Sequence, residues 1–422
     1  MINNPMTISC GIDFGTSNSS IAIAQDGIIN LVPVEDDHVT IPSALFFPRK
    51  QSNPVFGRAA AKMFFDKKEG RYMRSLKRVL GTALMKNGTS INGKAVKFEK
   101  IISAFLQNIH DKANAQAGED IGNVVMGRPV HFIDNDPEGD KRAQNELEII
   151  AKSVGFKNVY FQYEPIAAAF AHEVKIAAEK LAIVADLGGG TSDFTIIRLS
   201  NKYIAKTERT SDILANTGVR VGGNDFDKDI SLTSIMPELG YKSTFGEKNL
   251  EVPVKLYHDL AEWSKVNFLY TPKIITQARQ LLHQSHDKKR FARIITVLEK
   301  EMGHALLASA EETKIALTSD EEHAANLDFL ERDFFVNITR QRFEDAIQYE
   351  IEKISNSAVD CIKQAGIKEG DIQFVILTGG STEVPAIQSL FRELFPNASI
   401  ADDNKLSSVG LGLAYDSYRR FK

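Results

Sequence analysis

The residues of this chain best placed to do chemistry are glycines set between carboxylates and hydroxyls. The densest set reads LAIVADLGGGTSDFTIIRL, Leu181 to Leu199. Two apolar runs, Leu181–Ala185 and Phe194–Ile197, flank Gly188, Gly189 and Gly190, which is the pattern of a β-hairpin. Glycines there are expected to take positive φ and to bring bare backbone N–H groups close to a ligand. Successive N–H groups aimed into one concavity make an anion nest. Asp186 precedes the turn, and Thr191 and Asp193 follow it. A carboxylate and a hydroxyl beside such a nest suit a Mg²⁺-linked polyphosphate. An ordinary glycine-rich hairpin would read the same way.

A second stretch has the same grammar. MTISCGIDFGTSNSSIAIA, Met6 to Ala24, runs from an apolar strand through Asp13, Gly15, Thr16, Ser17 and Asn18 into the apolar run Ile21–Ala24. A chance glycine turn need not recur with its Asp and Thr in register, so the duplication favours phosphate binding. Two such hairpins can close on one polyphosphate from opposite sides. Asp13 and Asp186 would then share a hydrated Mg²⁺, an ion that keeps several of its waters. Two further turns are suited to phosphate or nucleotide. Gly222-Gly223 in RVGGNDFDKD precedes a helix start, and Gly379-Gly380-Ser381 follows the buried strand of QFVILTGGSTEV. Asp225 and Asp227, in the first turn after Gly223, also suit the helix dipole alone.

Other candidates carry a plain reading beside a functional one. Lys77, in RSLKRVLG, sits among apolar residues and projects into a cleft or belongs to a solvated basic turn. Glu164 opens the Ala-rich helix of EPIAAAFAHE, facing the cleft or only complementing the dipole. Glu311, Lys314 and Thr318 share a helix face, where an ion pair plus a capping hydroxyl is the plain reading. His283, His286 and Asp287 read as surface residues of a charged helix, because no convergent ligands follow at metal-site spacing.

The elements that position these residues follow from composition and periodicity. With 422 residues, two lobes are expected instead of one core. Apolar content of 43% and charged content of 25% describe an ordinary globular chain. A net charge of −4 gives no basic footprint for nucleic acid. No apolar run is long enough to cross a bilayer, and MINNPMTISC lacks a signal-peptide pattern. Cys10 and Cys361 cannot build a disulfide framework, so the expected address is cytoplasmic. Helical spacing predicts a helix over Gly57–Met73, another from Phe98 to just before Gly118, and one over Lys141–Val154. It also predicts one amphipathic helix through Leu256, Leu260, Trp263, Asn267 and Leu269, and a long helix from Phe291 towards Leu317. Asn87-Gly88 marks a hairpin and Asn92-Gly93 a second turn.

Taken together, the motifs resemble the nucleotide-binding domain of Hsp70 chaperones, within the actin/hexokinase-like ATPases, over nearly the whole chain. Within that family the chain resembles the YegD-type Hsp70-like proteins. GIDFGTSNS (Gly11–Ser19) is similar to the family's first phosphate motif and DLGGGTSDF (Asp186–Phe194) to its second. YEPIAAAFAHE (Tyr163–Glu173) resembles the inter-lobe helix signature, and VGGNDFD (Val221–Asp227) and LTGGSTEVP (Leu377–Pro385) resemble the remaining motifs. The resemblance implies a two-lobed α/β actin-like ATPase fold with a duplicated ribonuclease-H-like core and a nucleotide cleft between lobes. Lobe I would span 1–181 with an outer subdomain at about 46–123. Lobe II would span 182–422 with an outer subdomain at about 232–340. A final helix at about 406–419 would pack back on lobe I.

The same resemblance implies roles and cofactors, ATP/ADP with Mg²⁺. Asp13 and Asp186 would organise the metal and the attacking water, and Lys77 would reach the γ-phosphate. Glu164 would lie near metal and water, and Thr191 near the γ-phosphate. Gly15, Thr16, Ser17 and Asn18 would bind phosphates, as would Gly188, Gly189 and Gly190, with Gly222 and Gly223 nearby. Glu311, Lys314 and Thr318 would hold ribose and adenine, and Gly379, Gly380 and Ser381 would complete that pocket. Ile315 and Glu383 stand where the family usually has arginines flanking the base, which removes planar, positively charged surfaces. The expected function is a slow, weak Hsp70-like ATPase acting as a conformational switch for an unidentified protein partner or co-chaperone. No acidic-apolar linker or peptide-binding domain is expected, so peptide chaperoning by the usual route is not implied. The alternatives are a sugar-type small-molecule kinase and a non-hydrolysing nucleotide sensor or actin-like filament protein.

Overall fold

Continuous apolar strands are buried on both faces, and in this chain they occur as two matching sets. The computed structural model describes residues 8–421 apart from positions 50, 52, 67, 134–135, 174–175, 205, 207, 264 and 402–406. The first sheet has the strand order Asn158–Tyr163, Asn123–Arg128, Ser9–Phe14, Asn18–Gln25, Ile28–Leu31, with Thr40–Pro42 also on Asn18–Gln25. The second has the order Ser399–Ala401, Phe374–Thr378, Lys180–Leu187, Ser192–Leu199, Ile213–Val219. In both, the central strand pairs antiparallel with the next strand in sequence and parallel with a later one. The outer partners repeat the pattern, parallel on one side and antiparallel on the other. The duplication read from two loops therefore extends to whole sheets, and the two-lobed α/β class is as expected.

Each sheet has its own core. Phe14, Ile21, Phe105, Ile109, Leu147 and Ile150 belong to the first, and Ile183, Phe194, Phe226, Phe291, Ile347 and Phe391 to the second. A third, smaller core joins them through Val125, Ala167, Ala168, Val184, Ile376 and Leu413. It is built by the helices Glu164–Glu173 and Ser408–Arg420, whose alanines and glycines permit close approach. A Cβ on Gly412 would overlap the carbonyl oxygen of Ala167, and one on Gly11 would overlap the backbone of Leu413 and Ala414. The final helix thus lies on the first sheet while following the second in sequence. It begins at Ser408; position 406, where it was expected to start, lies outside the described residues.

Several local expectations are corrected. The helix expected over Gly57–Met73 stops at Phe65, because Gly70–Arg74 pairs antiparallel with Ala44–Pro48. The hairpin sits at Asn92-Gly93, with φ of 52° and 78°, between Gly88–Ile91 and Lys94–Lys97. Asn87 instead closes the 3-10 turn Ala83–Lys86. The helix expected from Phe291 towards Leu317 is two helices, Lys288–Glu299 and Gly303–Ser319, because Glu301 turns left-handed at φ 54°. The segment through Leu256 and Leu269 is likewise two short pieces, Lys255–Leu260 and Val266–Leu269.

Candidate functional site

Lys77 stands on the 3-10 turn Leu76–Val79, which Ser75 enters with φ 58°. Only 9% of the lysine is exposed, a setting in which an ammonium needs a partner. Its Nζ lies 2.5 Å from Glu164 Oε1. Glu164 opens the helix Glu164–Glu173, so its carboxylate pairs with a cation as well as standing at the positive end of a dipole.

Asp13 and Asp186 occupy equivalent places in the two sheets. Each is the last residue but one of its central strand, opposite Ser20 and Asp193 respectively. Burial raises the Asp13 pKa to about 7; repulsion from Glu164 adds to this and Lys77 opposes it. Burial likewise raises Asp186 to about 8, with Glu164, Asp193 and Asp13 adding and Lys77 opposing. Burial pulls the Lys77 pKa down, but Glu164, Asp13 and Asp186 together outweigh it and the net shift is upward. These groups share one electrostatic neighbourhood, with three carboxylates around one ammonium. Such a donor set is short of positive charge and fits a hydrated divalent cation. Among the described residues no group of His, Cys, Asp and Glu forms a metal cage by itself. A cation here would therefore complete its shell with water and ligand oxygens.

The glycine loops converge beside this cluster. Ser17 Oγ lies 2.5 Å from where a Cβ on Gly189 would stand, so the loops of the two hairpins meet there. The backbone of Gly188, Gly189 and Gly190 approaches Gly222 as closely, with Gly190 N at 2.6 Å from its absent Cβ. The Gly188 carbonyl accepts hydrogen bonds from Gly223 N at 3.0 Å and Ser381 Oγ at 2.8 Å. The Gly189 carbonyl accepts from Asn224 N at 2.7 Å. Ser43 fixes the other loop, donating from Oγ to the Gly15 carbonyl at 2.7 Å and from N to that of Ser17 at 2.8 Å. Gly188–Gly190 were expected at positive φ, and they are not; of the three only Gly189 would bring a Cβ within 3 Å of a neighbour, the Ser17 hydroxyl. Gly379 does use positive φ, at 85°. Thr16, Ser17 and Asn18 are partly buried at the first loop, and Thr191 is exposed beyond the second, its carbonyl accepting from Gly188 N.

Glu311, Lys314 and Thr318 lie on the helix Gly303–Ser319. Lys314 reaches the same loops, with Nζ 2.8 Å from Asp227 Oδ1 and donating to the Gly223 carbonyl at 3.2 Å. The ion pair expected within this helix face is thus made to Asp227, which lies past the first turn and is buried. Burial raises the Asp227 pKa to about 6 against the pull of Lys314. Thr318 Oγ1 donates to the Ile315 carbonyl in its own helix. Ile315 is 58% exposed, and Glu383 is exposed at the end of the turn Gly380–Glu383. His283 and His286 stay apart from this region; His286 bonds Thr244.

Two neighbours of the site were not singled out in the sequence. Arg78 Nη1 lies 3.7 Å from where a Cβ on Gly190 would stand, and Asn224 Nδ2 lies 3.6 Å from the same point on Gly189. Arg78 could have been found, since it adjoins Lys77 on a short turn; Asn224 is placed by tertiary contacts alone. Among the described residues no helix is long and apolar enough to cross a membrane. A family model described as Hsp70 protein matches residues 9–244 and 281–416, well over half the chain.

Proposed function

The chain belongs to the Hsp70 family, an Hsp70-like ATP-binding protein, and from this we infer a slow Mg²⁺-dependent ATPase that works as a conformational switch. The observation that carries the reading is the Lys77–Glu164 pair at 2.5 Å, in one electrostatic neighbourhood with Asp13 and Asp186, beside two glycine loops that meet at Ser17 and Gly189. Phosphoryl transfer asks a protein mostly for positioning and charge neutralisation. Backbone N–H groups of Gly15–Asn18 and Gly188–Thr191 would cradle phosphate oxygens. Lys77 would meet the terminal phosphoryl group, with Glu164 holding its ammonium in place and orienting water. Asp13 and Asp186 would hold the hydrated cation. Mg²⁺, when bound, supplies charge neutralisation and an ordered water shell. Lys314, Glu311 and the turn Gly379–Ser381 would hold ribose and base, with Thr318 and Glu383 at the pocket's edge.

In this reading lobe I spans 1–181 and lobe II 182–422, and nucleotide state is reported in the cytoplasm to a protein partner. The chain would stand with the YegD-type members of its family. A non-hydrolysing sensor is the second reading, favoured by Ile315 at 58% exposure where family members carry a guanidinium. Single-turnover incubation with Mg-ATP, following bound nucleotide and ADP, separates them. Slow hydrolysis lost in Lys77→Ala supports the ATPase. Binding without hydrolysis by the unaltered protein supports the sensor, and equal hydrolysis by both proteins removes Lys77 from the mechanism.

A further inference from the structure

A cavity of about 560 Å³ opens in the second lobe, lined by the helices Lys255–Leu260 and Pro272–Gln284. Its volume falls in the range of small-molecule sites, roughly 300–1,000 Å³. None of the candidate nucleotide-site residues lines it. Apart from Leu281, Gln284 and Phe291, its lining residues fall within 252–280, between the two stretches that the Hsp70 model matches. The cavity therefore belongs mainly to a segment that the family match does not cover.

Its walls are apolar and its charges cancel. Val252, Tyr257, Leu269 and Phe291 are buried there. The Tyr257 hydroxyl donates to the Leu239 carbonyl at 3.1 Å, which leaves its ring as the wall. Lys255 and Asp259, the two charged lining residues, pair at 2.7 Å. Lys265 also approaches Asp259, at 3.7 Å, but is paired with Glu262 at 2.8 Å. On the helix Pro272–Gln284, Ile274, Ala278 and Leu281 recur at helical spacing and line the same space. Ala278 is the buried residue of that helix, and its single methyl leaves open what a longer side chain would fill.

Polar groups are few and neutral. Gln277, Gln280 and Gln284 line the cavity, and their side-chain amides make no hydrogen bond among the described residues. Each amide offers both donors and an acceptor. Leu250, Val254 and Phe268, each within two positions of a lining residue, are exposed, Phe268 at 74%. Large apolar side chains held in solvent next to a cavity are a mark of a binding surface.

We propose that this cavity binds a neutral, ring-bearing small molecule whose few polar groups meet the glutamine amides. The aromatic walls Tyr257 and Phe291 favour a ring. Neutrality follows from the Lys255–Asp259 pair, because a lining without net charge cannot offset the cost of taking an ion out of water. The site is independent of the nucleotide reading.

The test uses a matched pair of fluorescent probes. N-phenyl-1-naphthylamine is neutral with one N–H; 8-anilino-1-naphthalenesulfonate is the same frame carrying a sulfonate. Both are titrated into the unaltered protein, Ala278→Leu and Leu256→Trp. The variants add bulk to the cavity from different helices, and filling open space avoids the usual overpacking cost. The unaltered protein is expected to bind one equivalent of the neutral probe, at least about tenfold more tightly than the anion, and each folded variant at least about tenfold more weakly. Hydrogen exchange of the unaltered protein, which needs no variant to fold, should slow within 252–291 when the neutral probe binds. Absence of saturable binding, binding that the folded variants do not weaken, or unchanged exchange over 252–291 overturns the site. An anion that binds as tightly as the neutral probe overturns the proposed ligand class.

Discussion

Replacing Asp186 by asparagine is expected to stabilise the chelated, nucleotide-stripped protein by an amount that grows with pH. Burial, reinforced by Glu164, Asp193 and Asp13, raises the Asp186 pKa from 3.8 to about 8. Between those values the folded chain keeps a proton at this carboxylate that the unfolded chain releases. A proton bound more tightly in the folded state makes stability fall as pH rises, by about 1.4 kcal/mol per pH unit for one full proton. Asparagine carries no such proton and escapes the loss. Between pH 5.5 and 7.5 the variant should therefore gain about 2.7 kcal/mol on the unaltered protein. Asp13, raised to about 7, titrates in the same window and shares the charge, which brings the expectation to about 1–3 kcal/mol. The assay is urea unfolding in EDTA at pH 5.5, 6.5 and 7.5 for both proteins, read as the difference between them so that all other titrating groups cancel. Parallel profiles, or a variant that loses ground as pH rises, would refute the argument that Asp186 is held near neutrality by its surroundings. Mg-ADP should reverse the order, because the carboxylate that burdens the stripped protein is the one proposed to hold the cation.

Lys77→Met should cost about 3–5 kcal/mol of unfolding free energy, since it leaves Glu164 buried without its cation, and Glu164→Gln should cost less because Asp13 and Asp186 remain near Lys77. The double variant should recover much of the loss, and additive costs in urea unfolding would show that the pair is not coupled. Gly412→Ala should lower the thermal midpoint by several degrees, because its Cβ meets the Ala167 carbonyl where the final helix crosses Glu164–Glu173, an overpacking cost of about 1–3 kcal/mol.

How much was legible in the sequence follows from how local each determinant is. Asp13 with Gly15, and Asp186 with Gly188–Gly190, sit within a few residues of each other at the ends of strongly apolar strands. Strand, carboxylate and turn could therefore be read together, and the repeated sheet order matches the repeated loop. The boundaries that failed are those settled at a distance. Nothing in Gly57–Met73 announces that Gly70–Arg74 will be recruited by Ala44–Pro48, and a propensity for helix yields to a strand partner already in place. Glu301 breaks a helix without glycine or proline because the chain must turn between Glu299 and Gly303, and a non-glycine residue at positive φ leaves no compositional mark.

The same division holds within the site. The residues proposed to face phosphate were visible because their glycine turns follow apolar strands directly. The contacts that hold those loops in place were not. Ser43 fixes the first loop from 26 to 28 positions away, and the Lys314–Asp227 pair joins two helices across 87 positions. Their side chains are ordinary serine, lysine and aspartate, equally suited to a solvated surface. The contact between Phe64 and His304, at 4.5 Å between ring centroids, is the extreme case. The two residues lie 240 positions apart and share no motif, and only two lobes, each folded around its own sheet, bring them together.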